Sequence, residues 1–120
     1  MKEIKAYIRT EKVNEIIESL EEMGLTGVTV IDVMALGPGL IDESKAKYSM
    51  EYVERYSKVA KLELICSGEA VETIIGIIRK NAYTGGAGDG LIAVSEVQNV
   101  VKIRSGRADE EALDCIAKPE

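Results

Sequence analysis

Twice in this chain an apolar alternation of period 2 runs straight into an apolar stripe of period 3.6, and a chain so patterned must build two strand–helix units that share one core. In the first unit Ile4, Ala6 and Ile8 alternate with Lys5, Tyr7 and Arg9, as in a strand with one buried face. Val13, Ile16, Ile17, Leu20 and Met23 then recur on one side of a helix, with Thr10 placed to cap its start and Gly24 to end it. In the second unit Ala60, Leu62, Leu64 and Cys66 alternate with Lys61, Glu63 and Ile65. Ser67 is the expected cap there, Ala70, Val71, Ile74, Ile75 and Ile78 form the stripe, and Arg79 and Lys80 stand in the last turn, where cations suit the helix dipole. Gly76 inside this helix costs about 1 kcal/mol relative to alanine and is expected to permit a close approach.

Each unit is followed by a further β-branched run. GVTVIDVM over 27–34 reads as a strand buried on much of its surface, and LIAVSEV over 91–97 as a fourth strand, with VVKIRSG over 100–106 as a short fifth. The order predicts a split βαβ arrangement of the α+β class, βαββαβ, an antiparallel sheet with two helices on one face. The other face is left open, and oligomerisation would cover it.

With 120 residues the chain is expected to form one domain over 1–120, its core built from Ile, Val, Leu and Ala because the only aromatic residues are five tyrosines. A net charge of −6 argues against a nucleic-acid partner, since phosphate backbones are gripped by clustered cations. Residues 1–10 carry Lys2, Glu3, Lys5 and Arg9 and so hold no apolar leader or span, and Cys66 and Cys115 lack any paired spacing. A cytoplasmic location is expected. The chain has no histidine, which removes Ser-His and Cys-His nucleophiles and every His-bearing metal site; the expectation is a protein that is not an enzyme and requires no cofactor.

Two features point to chemistry. The stretch from Ala35 to Ser57 fits neither period, opens on Gly37-Pro38-Gly39 and spaces Tyr48, Tyr52 and Tyr56 four apart; a loop this long is usually functional, although the tyrosines also fit a short helix on the core. The second is Thr84-Gly85-Gly86-Ala87-Gly88-Asp89-Gly90, whose glycines let backbone amides approach an anion; a plain helix-to-strand turn is the other reading. Lys102 and Arg104, two apart on the expected fifth strand, would share a face about 7 Å apart and could grip a polyphosphate. A solvated strand face is their ordinary alternative.

These residues together resemble the PII signal-transduction family over nearly the whole chain. The resemblance runs through Gly27-Val28-Thr29-Val30, Gly37, Glu51-Tyr52-Val53, Thr84-Gly85, Gly88-Asp89-Gly90, Val94 and Lys102-Ile103-Arg104-Ser105-Gly106. It implies a homotrimer of ferredoxin-like subunits that binds ATP, ADP or AMP in the clefts between neighbours, with magnesium left open. A T-loop, about 37–58 here, would reach a target protein such as a membrane transporter or a metabolic enzyme of nitrogen regulation. Carried over by position, Thr29 and Ile65 would lie near the adenine, Gly37, Ala87, Gly88, Asp89 and Gly90 would line the nucleotide, and Lys102 and Arg104 would contact phosphates. Tyr52 would be the T-loop tyrosine that some members carry as a modification site. The residues from 107 to 120 would form a tail.

The chain also departs from the family. Leu91 stands where the glycine loop normally ends in a cation, and Pro38-Gly39-Leu40 replaces the glutamine that helps hold magnesium and 2-oxoglutarate. An ACT-like amino-acid-binding module shares the element order but does not require Gly88-Asp89-Gly90 followed by Lys102 and Arg104. An acylphosphatase-like enzyme would need an arginine cradle after the first strand, and no such loop follows Arg9.

Overall fold

The computed structural model describes residues 1–25, 27–33 and 59–113. Gly37, Tyr52, the rest of the expected T-loop and the tail from 114 onward lie outside the described residues. Four strands, β1 (Lys2–Arg9), β2 (Thr29–Val33), β3 (Val59–Cys66) and β4 (Leu91–Glu96), form one sheet in the order β2-β3-β1-β4. Every neighbouring pair is antiparallel. Helices α1 (Val13–Glu22) and α2 (Val71–Ala82) follow β1 and β3, so the βαββαβ order and the ferredoxin-like topology are both present.

The strand alternation decides which face is covered. Ile4, Ala6 and Ile8 of β1 and Leu62, Leu64 and Cys66 of β3 are buried together with Ile16 and Leu20 of α1 and Ile74 and Ile78 of α2. Both helices therefore lie on one face, and each fully buried Leu or Ile contributes about 1.5–3 kcal/mol relative to exposure. The alternate positions Glu3, Lys5, Tyr7, Lys61 and Glu63 form the opposite face, half-buried and self-neutralising. There Lys61 Nζ lies 2.7 Å from the Glu63 carboxylate and 5.7 Å from the centre of the Tyr7 ring, and Lys5 pairs with Glu3 at 3.4 Å. The Glu63 pair raises the Lys61 ammonium above its ordinary value and holds the Glu63 carboxyl below its own.

Gly24 ends α1 as expected. At φ +89 it lets its own amide bond the Glu21 carbonyl at 2.8 Å and the Leu25 amide bond the Leu20 carbonyl at 2.9 Å, a Schellman cap that delivers Leu25 into the core. The helix starts differ from expectation. A 3-10 turn, Thr10–Lys12 before α1 and Gly68–Ala70 before α2, opens each helix. Thr10 lies inside the first turn and Ser67 flanks the second in an extended conformation, and neither side chain makes a capping bond. Among the described residues nothing stands within 4 Å of a Cβ built at Gly76, so the expected close approach is not seen among them.

Two strand readings are corrected. β2 is an edge strand paired only with β3, and its residues are largely exposed in the subunit, Val30 at 43% and Ile31 at 38%. The stretch 100–106 is no strand. Apart from a single bridge between Val101 and Ala108 it is a hairpin turn, closed by the Lys102 amide to the Arg107 carbonyl and the Gly106 amide to the Lys102 carbonyl, both at 2.8 Å.

Candidate functional site

The connection from α2 to β4 is the glycine-rich segment, and its shape is set by Asp89. One carboxylate oxygen of Asp89 accepts the backbone amides of Thr84 at 2.8 Å and Gly85 at 2.9 Å, while the other accepts the Thr84 hydroxyl. The Asp89 amide bonds back to the Gly86 carbonyl at 3.2 Å, closing a turn whose central residues are Ala87 and Gly88. Among the described residues the amides of Ala87 and Gly88 carry no such bond. Arg9, at the end of β1, lies beside the turn, with Nε 3.5 Å from the Asp89 carboxylate. A Cβ on Gly86 or Gly88 would stand 3.1 or 3.0 Å from Arg9 Nη2, so both glycines make room for the guanidinium.

Four hydrogen-bond donors gather on one carboxylate. The Thr84 hydroxyl, then the Thr84 amide, the Gly85 amide and Arg9 stabilise its charged form and hold the Asp89 carboxyl down to about 2 from an ordinary 3.8. Because the folded value is depressed, these bonds contribute fully above the ordinary value and are lost as the pH falls through about 2. A carboxyl-carbon NMR titration is expected to place the Asp89 midpoint near 2; a midpoint near the ordinary value would mean that the loop is not tied in this way.

The other expected site residues fall elsewhere. Thr29, Ile65 and Lys102 line a cleft of about 260 Å³ with Glu3, Glu63 and Val100. This cleft sits at the Glu3–Lys5 end of β1, because Ile65 pairs with Glu3 and Thr29 is opposite Glu63, itself opposite Lys5. The glycine loop sits at the Tyr7–Arg9 end. At about 3.3 Å per residue the two ends are roughly 7–20 Å apart along the strand. Antiparallel β4 carries the chain from one to the other, from Leu91 opposite Tyr7 to Glu96 opposite Lys2. Lys102 and Arg104 therefore do not share a strand face, nor does Lys102 adjoin the glycine loop of its own chain; Arg104 is exposed in the hairpin turn. Arg9 was not expected at this site. Its partner Asp89 lies 80 residues away, and only the pairing of β1 with β4 brings them together.

Among the described residues no group of three or more acidic or cysteine side chains is placed to hold a metal ion, and no helix is long and apolar enough to cross a membrane. Fold and loop define an α+β module of ferredoxin-like topology built around a glycine turn, and comparison with known proteins places it in a family. The sequence profile described as Nitrogen regulatory protein P-II matches residues 1–107. The chain is 38% identical over 113 residues to the Nitrogen regulatory protein P-II of Mesorhizobium japonicum, covering 94% of this chain and all of that one. It is 38% identical over 116 residues to the protein of the same name from Rhizobium meliloti, covering 97% of this chain and all of the relative. Against the Nitrogen regulatory protein GlnK of Escherichia coli K12 the identity is 34% over 113 residues, covering 94% of this chain and all of that protein. The chain belongs to the nitrogen regulatory protein P-II family and is a PII-like signalling protein.

Proposed function

We propose that this protein senses an adenine nucleotide, ATP, ADP or AMP, in clefts between the subunits of a homotrimer, and reports it to a target protein through the 37–58 loop without catalysing a reaction. The observation that carries the reading is the division of the site. Asp89 and Gly90, with Ala87 and Gly88 beside them in the turn, stand at one end of β1, and Thr29, Ile65 and Lys102 at the other, and in a single chain the two sets line separate clefts. A neighbouring copy brings the two ends together. The turn amides of Ala87 and Gly88 then offer donors for phosphate oxygens, and the apolar side chain of Ile65 beside Thr29 offers a wall for a base.

Calorimetric titration of ATP, ADP and AMP into the assembled protein tests this. Saturable uptake approaching one nucleotide per subunit is expected. An assembled protein that gives no binding heat with any of the three, while binding a free amino acid, would replace this reading with that of an amino-acid-binding module.

A further inference from the structure

Between α2 and β4, on the helix-covered side of the sheet, lies a groove of about 410 Å³. Its walls are aliphatic: Ile8, Ile78 and Ala82 belong to the core, and Ile75 and Ile92 are partly buried against it. A groove of this size is within the range of small-molecule sites. The charges along it differ in what they can still bind. Asp89 stands at its edge, but that carboxylate is already held by the Thr84 hydroxyl, the Thr84 and Gly85 amides and Arg9. Arg79, in the last turn of α2, also lines the groove and is exposed, and among the described residues no acidic side chain pairs with it. Its neighbour Lys80 does not line the groove. Tyr83, 71% exposed, adds a phenol to the lining.

We propose that the α2–β4 groove binds a small aliphatic carboxylate, its chain along Ile75, Ile78 and Ile92 and its head on Arg79. Aliphatic walls fit an aliphatic body, because apolar surface left to water on both partners is removed together. The planar guanidinium matches the two oxygens of a carboxylate, and a phenol donates one further hydrogen bond. With Asp89 tied inside the turn, Arg79 is the charge left to select the ligand, and it selects an anion. The inference goes beyond the nucleotide reading and does not need it. Thr29, Ile65 and Lys102 line the other cleft, beside Glu3 and Glu63 on the opposite face of the sheet. The two sites meet only at Asp89 and Gly90, where a ligand in the groove would lie behind the glycine turn.

Octanoate titrated into the full chain, followed by calorimetry and by amide NMR, tests the site. Saturable uptake is expected, with the largest shifts at Ile75, Arg79, Tyr83 and Ile92. Octanol, which keeps the chain without the charge, and acetate, which keeps the charge without the chain, are each expected to bind roughly tenfold or more weakly. Arg79→Gln is expected to weaken octanoate by about the same factor, as when a charge-assisted contact is lost, and to leave the melting temperature unchanged because the side chain is exposed. Lys80→Gln removes the adjacent cation and is expected to bind octanoate as the parent does. No uptake of octanoate, octanol binding as tightly, an Arg79→Gln protein that binds like the parent, or shifts centred on Thr29 and Ile65 overturns the proposal. Competitive displacement of octanoate by ATP overturns it as well, since both would then occupy one cleft. A protein that takes up octanoate in this way but no nucleotide keeps the groove site and loses the nucleotide reading.

Discussion

Replacing Gly90 by alanine is expected to cost about 3 kcal/mol or more and to lower the melting temperature by more than about 10 °C. Two independent constraints meet at this residue. Its φ of +99 is one that an L side chain rarely adopts, and a Cβ there would lie 1.7 Å from the Tyr7 carbonyl oxygen and 2.8 Å from the Tyr7 carbonyl carbon. Those are main-chain atoms of the central strand, so they cannot swing aside. Relief requires moving β4 off β1 where Leu91 pairs with Tyr7. Gly86→Ala is the control, because its Cβ would meet the Arg9 guanidinium and the Thr84 hydroxyl, side-chain groups that can give. Equal melting of Gly90→Ala and the parent would show that the loop does not press on β1.

For ligand binding the largest single loss is expected at Arg104. Arginine presents a planar fork of donors able to hold two phosphate oxygens, whereas Lys102 acts as a point charge, and Leu91 adds no cation at the end of the glycine loop. Losing such a charge-assisted contact typically costs about 1.5–3 kcal/mol, or roughly tenfold or more in affinity. Arg104→Ala is therefore expected to weaken ADP and ATP by at least that factor and AMP, with its single phosphate, by less. The subunit fold should be untouched, since the residue is exposed on a turn. Unchanged titration curves for all three nucleotides would show the arginine to be a solvated surface residue.

The parts of this fold legible in the sequence are those governed by local periodicity. Ile4, Ala6 and Ile8, or Ala60, Leu62, Leu64 and Cys66, identify a half-buried strand because every second side chain must leave water, and all seven are buried. What the sequence misplaced depends on partners distant along the chain. The apolar run of β2 reads as buried, yet its place at the sheet edge follows from β3 pairing with β1 on its other side. VVKIRSG has strand composition but holds Gly106 at φ +71 and closes on Arg107 as a turn. The candidate site shows the same division. The glycine loop could be picked out from composition alone, whereas its tie to Arg9 and its separation from Thr29, Ile65 and Lys102 follow from strand order.

The two halves of the chain reach a comparable junction, from helix into strand, and close it by different means. After α1 the helix's own last carbonyls are capped by the amides of Gly24 and Leu25, and Leu25 is buried in the core. After α2, over residues 83–90, a single carboxylate does the closing from inside the loop, and the turn it makes faces outward with its central amides uncommitted. A duplicated unit thus carries one sealed joint and one open joint. Mutational tolerance should therefore be lopsided between the halves: substitutions at 23–25 register as lost stability, and those at 86–88 register first as altered recognition.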